Sequence, residues 1–207
     1  MRSARELSGF DSVQELIYDE IHWNAAQRVL KYLKGTSGHG LVYCCDSLNE
    51  IIYQMYADAS FGNRDEGRRS VSGYLSIMGQ CVISYRSFSQ KCIVTSTTAA
   101  ELYAASEGAR ESECLRMLLG ELGFKQKKSI TLHCDNTATI AICINPGNHE
   151  ATKSVDIRIL HIRELIENKR INMVYCKTED MIADILTKAL ASKEFLKLRY
   201  LLCVREI

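Results

Sequence analysis

At 207 residues, with 46% hydrophobic and 25% charged residues, the chain has the composition of a folded protein with one sizeable core, which excludes a disordered or fibrous chain. A net charge of +1 excludes a whole-chain field that draws a polyanion; nucleic-acid contact must come from local clusters such as Arg64, Arg68 and Arg69, or Lys125, Lys127 and Lys128, which read first as solvated surface. Nine cysteines without a Cys-x-x-Cys pair, five scattered histidines, no apolar signal core and no membrane-length apolar run argue against a secreted disulfide scaffold, a zinc site and a membrane protein, and imply reduced thiols in cytoplasm or nucleus.

Residues 1–20 carry no strong pattern. Over residues 22–34, Ala26, Val29, Leu30 and Leu33 recur at helical spacing while Arg28, Lys31 and Lys34 take the other side, which predicts an amphipathic helix stopped by Gly35. A turn over 35–40 and a short strand over 41–45 follow. Residues 51–58 form a strand candidate in which both alternating sets are mostly apolar, as in a strand covered on both faces. The polar stretch 59–69 reads as a loop, and residues 70–78 and 81–87 as two strands joined by a tight turn at Gly79-Gln80. A long helix over 97–122 closes at Gly123. Residues 130–135 predict a strand, 136–144 a short helix, and Asn145-Pro146-Gly147 a break at the single proline. Val155, Ile159, Ile162 and Ile166 mark another amphipathic helix, residues 171–176 a strand, and residue 178 onward a last helix running, with an interruption, to 202. Three consecutive strands, then helix, strand, two helices, strand and helix, predict an α/β fold: an antiparallel meander extended by parallel crossovers into a mixed sheet flanked by helices.

Four acids occupy particular places in this order. Asp58 ends the first strand of the meander, and Asp135 ends the strand that begins at Ile130, with Asn136 and Thr137 placed to cap the next helix. Ligands of such sheets gather beyond the carboxyl ends of strands. Glu101 lies on the packing face of its helix, with Ala104, Ala105, Gly108, Leu115, Leu119 and Leu122. A buried carboxylate is costly, so Glu101 either sits at the rim of the core or has a cationic partner there. Asp184 lies off the stripe formed by Ile182, Ile185, Leu186 and Leu190, early in the last helix, where a solvated surface aspartate explains it equally well.

Six ordered blocks then resemble a known family: Tyr56-Ala57-Asp58-Ala59-Ser60-Phe61-Gly62, Ser70-Val71-Ser72-Gly73-Tyr74, Ala100-Glu101-Leu102-Tyr103-Ala104, Cys134-Asp135-Asn136, Val155-Asp156-Ile157-Arg158 and Ala183-Asp184-Ile185-Leu186-Thr187-Lys188 are similar to the signature blocks of the ribonuclease H domain of copia-type retrotransposon Pol polyproteins. Upstream, Trp23-Asn24-Ala25-Ala26-Gln27-Arg28-Val29-Leu30-Lys31-Tyr32-Leu33-Lys34-Gly35-Thr36 resembles the segment joining reverse transcriptase to that domain. The resemblance implies a ribonuclease H-like fold with a five-stranded mixed sheet over 49–207, preceded over 1–48 by the end of the reverse transcriptase connection. It places the catalytic, metal-binding acids at Asp58, Glu101, Asp135 and Asp184, with two Mg²⁺ (or Mn²⁺) as cofactors, and the RNA strand of an RNA–DNA hybrid as substrate.

Hard oxygen ligands suit those ions, and phosphodiester hydrolysis needs the acidified water and neutralised leaving oxygen that a metal pair supplies. Ser70, Ser72, Asn136, Arg68 and Arg69 are the residues expected near the shallow groove that displays the 2′-hydroxyl. The reverse transcriptase portion of a parent polyprotein is the implied protein partner, and a virus-like particle the implied setting in an intact element. Departures from the family pattern are Ser60, Phe61, Ala99, Ser154 and Leu160, together with the lack of a histidine over 176–183. A transposon-derived remnant that folds or binds nucleic acid without cutting, and a nuclease of the same fold acting on DNA, stay open as alternatives.

Overall fold

The structure, a computed structural model, describes residues 20–43, 52–62, 69–145 and 153–207. The described residues divide into two compact units, one lying within residues 1–39 together with Glu206, the other within residues 40–205 together with Ile207. In the first, helix α1 (Glu20–Gly35) spans the predicted amphipathic helix; Trp23, Val29, Leu30 and Leu33 are exposed and none of its residues is buried. Gly35 is its last residue, and the end is closed by Thr36, whose hydroxyl donates to Tyr32 O at 2.8 Å.

After the short strand β1 (His39–Leu41), the second unit is built on a five-stranded sheet of order β4-β3-β2-β5-β6. Its strands are β2 (Tyr53–Ser60), β3 (Val71–Met78), β4 (Cys81–Ser89), β5 (Ile130–Cys134) and β6 (Ile171–Tyr175). The first three form the predicted antiparallel meander, with Gly79 at φ +64° in the β3–β4 turn, a conformation that glycine adopts without steric cost. β5 and β6 add in parallel to β2. Of the expected strand over 41–45 only Leu41 lies in a strand, as the last residue of β1; residues 42 and 43 are in none, and residues 44 and 45 lie outside the described residues.

Helix α2 (Thr97–Glu121) begins at Ser96, whose hydroxyl accepts from Ala99 N, and closes at Gly123 with φ +91°. Its small residues Ala100, Ala104, Ala105 and Ala109 are fully buried in one core with Tyr53, Met55, Ala57, Ile130 and Leu132 of the sheet. Complete burial of each of the larger side chains contributes roughly 1.5–3 kcal/mol. Helices α3 (Thr137–Ile144) and α4 (Lys153–Glu167) follow, with Ile159, Ile162 and Leu165 of α4 in the same core.

The chain from residue 178 departs from expectation. Instead of one interrupted α-helix it forms two 3₁₀ turns, Thr178–Asp180 and Ile182–Leu186, and then helix α5 (Ser192–Leu201) and the short strand β7 (Val204–Glu206). With three residues per turn, Met181, Asp184 and Thr187 fall on one side: Asp184 N donates to Met181 O, Thr187 N donates to Asp184 O, and all three are buried. Met181 and Ala183 pack with Tyr56 on the face of β2 away from α2. β2 is therefore covered on both faces only toward its end, where Asp58 and Ser60 are buried while Gln54 is exposed. Among the described residues no helix is long and apolar enough to cross a membrane.

Candidate metal centre

The four acids arrive from four separate elements. Asp58 does not end its strand: β2 runs on to Ser60, and Asp58 pairs with Gly73 of β3. On its other side, however, the β2–β5 ladder stops at Tyr56 and His133. Asp58 thus lies just beyond the point where two parallel strands part, which is the strand-end position that matters for a ligand. Asp135 directly follows β5 and is half-buried. Asn136 caps α3, its Oδ1 accepting from Thr139 N at 2.9 Å.

Carboxylate oxygens of Asp58, Asp135 and Asp184 lie within 4.8 Å of one another, as do ligand atoms of Glu101, Cys134 and Asp135. Asp135 belongs to both groups and links them, and the charges of Asp58 and Asp135 both act on Glu101. Each of the four acids accepts a hydrogen bond, and Asp58 and Asp184 share one donor. Glu101 Oε2 accepts from Ala59 N at 3.1 Å, and Thr178 Oγ1 donates to Asp135 Oδ2 at 3.2 Å. Asp58 Oδ2 accepts from the Thr187 hydroxyl. Lys188 Nζ donates to Asp58 Oδ1 at 3.2 Å and to Asp184 Oδ1 at 2.8 Å.

Glu101, 7% exposed, takes the packing-face position that its helical spacing indicates, and its partner is a main-chain N–H. Asp184 is 2% exposed, a correction to the solvated reading, because the 3₁₀ turn rotates it onto the sheet.

Crowding of buried like charges governs protonation here. Burial pushes the Glu101 carboxyl up to about 9, reinforced by the neighbouring Asp58 and Asp135. Burial raises Asp184 to about 6 against the opposing pull of Lys188, and raises Asp135 with help from Asp58. The Cys134 thiol is raised by burial too and stays protonated, which leaves oxygen as the donor chemistry of the centre. Crowded carboxylate oxygens, with a single ammonium set against them, form a donor set that on losing its protons fits hard divalent cations.

The other expected contact residues lie differently. Ser70 and Ser72 are fully buried: Ser70 Oγ accepts from Gly62 N at 3.4 Å, and Ser72 Oγ accepts from Gln90 Nε2 at 2.8 Å. Their hydroxyls serve the interior of the meander instead of facing outward. Arg69 is exposed, and Arg68 falls outside the described residues.

Sequence reasoning assigned no role to Lys188, Thr187, Thr178 and Gly73, although all but Thr178 stand in the ordered blocks quoted above. Lys188 reads in sequence as an ordinary i, i+4 partner of Asp184 on a helix. At Gly73, a Cβ would stand 2.7 Å from Leu186 Cβ and 2.9 Å from Thr187 Cγ2, so glycine there admits the Asp184 segment against the strand.

No family model matches the chain. Among curated proteins, it is 35% identical over 174 residues to the retrovirus-related Pol polyprotein from transposon TNT 1-94 of Nicotiana tabacum, covering 84% of this chain and 13% of that protein. It is 33% identical to that from transposon RE2 of Arabidopsis thaliana, covering 84% of this chain and 12% of the relative. The chain therefore spans about an eighth of the length of these relatives. A solved ribonuclease H domain of Rv2228c from Mycobacterium tuberculosis aligns at a TM-score of 0.48 and 12% identity, covering 73% of this chain and 98% of that one. At 35% and 33% identity over 84% of its length, this chain belongs to the family of the retrovirus-related Pol polyproteins of transposons, of which it matches one stretch.

Proposed function

We propose that the chain hydrolyses the RNA strand of an RNA–DNA hybrid, with Asp58, Glu101, Asp135 and Asp184 holding a pair of Mg²⁺ or Mn²⁺ ions. The observation that carries this reading is the meeting of four acids, each from a different element, in two overlapping groups that share Asp135. When bound, the ions acidify the attacking water and neutralise charge on the leaving oxygen. The chain's own residues set position. Thr187 and Thr178 each engage one oxygen of Asp58 and Asp135, and Ala59 N–H holds the Glu101 carboxyl against the end of β2. Exposed Arg69 and half-buried Asn136 are the groups we assign to the hybrid backbone, since guanidinium and amide donors suit phosphate and sugar oxygens. Residues 1–48 correspond in this reading to the end of the reverse transcriptase connection, and the exposed apolar residues of α1 to a contact with that partner.

Purified protein is incubated with labelled RNA–DNA hybrid, duplex DNA and single-stranded RNA, with Mg²⁺ or EDTA, beside Asp135→Asn. The expected result is metal-dependent cutting of the hybrid alone, lost by a factor of about 100 or more in the variant, in keeping with removal of a main transition-state contributor. Binding without cutting supports an inactive remnant, and cutting of duplex DNA supports a DNA nuclease; either outcome overturns the reading.

A further inference from the structure

The ammonium of Lys188 is placed unlike any other cation in the described fold. It bridges Asp58 Oδ1 and Asp184 Oδ1, two carboxylates that are 0% and 3% exposed at the side chain. Asp58 Oδ2 accepts from the Thr187 hydroxyl and Oδ1 from the Lys188 ammonium, so both oxygens of Asp58 are engaged in the metal-free centre. Without a positive charge there, two buried acids would face each other and Asp135 uncompensated, an arrangement that the low-polarity interior penalises strongly.

Lys188 is also built to leave. Its backbone N–H is fixed to Asp184 O at 2.9 Å, but its side chain is 31% exposed on a flexible four-carbon stem, which gives the ammonium rotamer freedom that a fully buried lysine lacks. A divalent ion coordinated by Asp58 and Asp184 would bind the same two carboxylates that the ammonium bridges, and two cations held so close together repel each other.

We propose that Lys188 is a resident counter-cation of the acidic centre: it holds Asp58 and Asp184 together while no divalent ion is bound, and competes with that ion for the same two carboxylates. The proposal rests on the metal-centre reading given above. It makes Lys188 a positioning residue that sets metal affinity.

The test is Mn²⁺ binding to the full chain, followed by the electron paramagnetic resonance signal of free Mn²⁺, for the wild type, Lys188→Met and Lys188→Arg. Lys188→Met is expected to bind Mn²⁺ at least about tenfold more tightly, whereas Lys188→Arg, which keeps the charge, is expected to gain nothing. Metal-free Lys188→Met is expected to melt at a lower temperature than the wild type and to recover when Mn²⁺ is added. A second measurement uses the wild type alone, so that it does not depend on the variant folding. Acylation of the Lys188 amine, read by peptide mass spectrometry, is expected to speed up when Mg²⁺ frees it from the two carboxylates. Unchanged or weaker Mn²⁺ binding in Lys188→Met, or acylation that Mg²⁺ leaves unchanged, overturns the proposal while the metal centre stands. No Mn²⁺ bound to any of the three proteins overturns the metal centre itself, and the proposal with it.

Discussion

At the scale of single residues, the centre depends on side chains that bind no ion themselves in this reading. Thr187 illustrates it. Its hydroxyl donates to Asp58, and both residues are buried, so Thr187→Val keeps the shape while leaving a buried carboxylate short of a donor. The expected cost is about 1–3 kcal/mol of metal-free stability, measured by urea unfolding. A change within about 0.5 kcal/mol, the range of a surface substitution, would show that the bond does not hold Asp58. Glu101 was legible in sequence because an α-helix of 3.6 residues per turn places it with Ala104, Ala105 and Gly108, all of which are buried. Thr187 and Lys188 were not legible, because their partner Asp58 lies well over a hundred residues earlier in the chain and no local periodicity links them.

At the scale of elements, two glycines separate close approach from ordinary packing. Gly73 pairs with Asp58 in the β2–β3 ladder and faces the 3₁₀ segment that carries Asp184. Gly73→Ala is expected to push that segment away, costing about 1–3 kcal/mol through overpacking and lowering hybrid cleavage. At Gly108 in α2, a Cβ would meet Ala57 Cβ and Leu132 Cδ1 at 3.5 Å, which is normal contact. Gly108→Ala is expected to be neutral or to stabilise by up to about 1 kcal/mol, since alanine loses less backbone entropy in a helix. Thermal melts and cleavage rates of the two variants check the contrast; equal losses in both would remove the special role of Gly73. The same region explains why Asp184 reads as surface in sequence. A wheel at 100° per residue sets it off the apolar stripe, but the segment is 3₁₀, and a period of three aligns it with Met181 and Thr187. Nothing in the local composition distinguishes that tighter winding from an α-helix.

At the scale of the whole molecule, the sheet was legible because the order of elements leaves few topologies: three strands joined by short connections make a meander, and strands separated by helices join it in parallel. Register was less legible. β2 extends two residues past Asp58, since its pairing with β3 continues to Val71 while its pairing with β5 stops at His133, and such a difference between two neighbours is a property of tertiary pairing. The centre that this topology assembles is expected to couple the stability of the fold to pH and to divalent ions together. Glu101, raised from an ordinary 4.5 to about 9, and Asp184, raised from 3.8 to about 6, keep in the folded state protons that the unfolded chain releases. The contribution of this cluster to metal-free stability is therefore fullest below the ordinary carboxylate range and declines as pH rises through about 6 toward about 9. A divalent ion must displace those protons, so its stabilising effect grows over the same interval.

The most direct measurement is the melting temperature of the full chain across that pH interval, with and without Mg²⁺. The expected result is a rise on adding Mg²⁺ that is small at the acid end, large at the alkaline end and abolished in Asp135→Asn. A melting temperature indifferent to Mg²⁺ at every pH, or a rise that Asp135→Asn retains in full, would contradict the convergence of these acids on divalent ions.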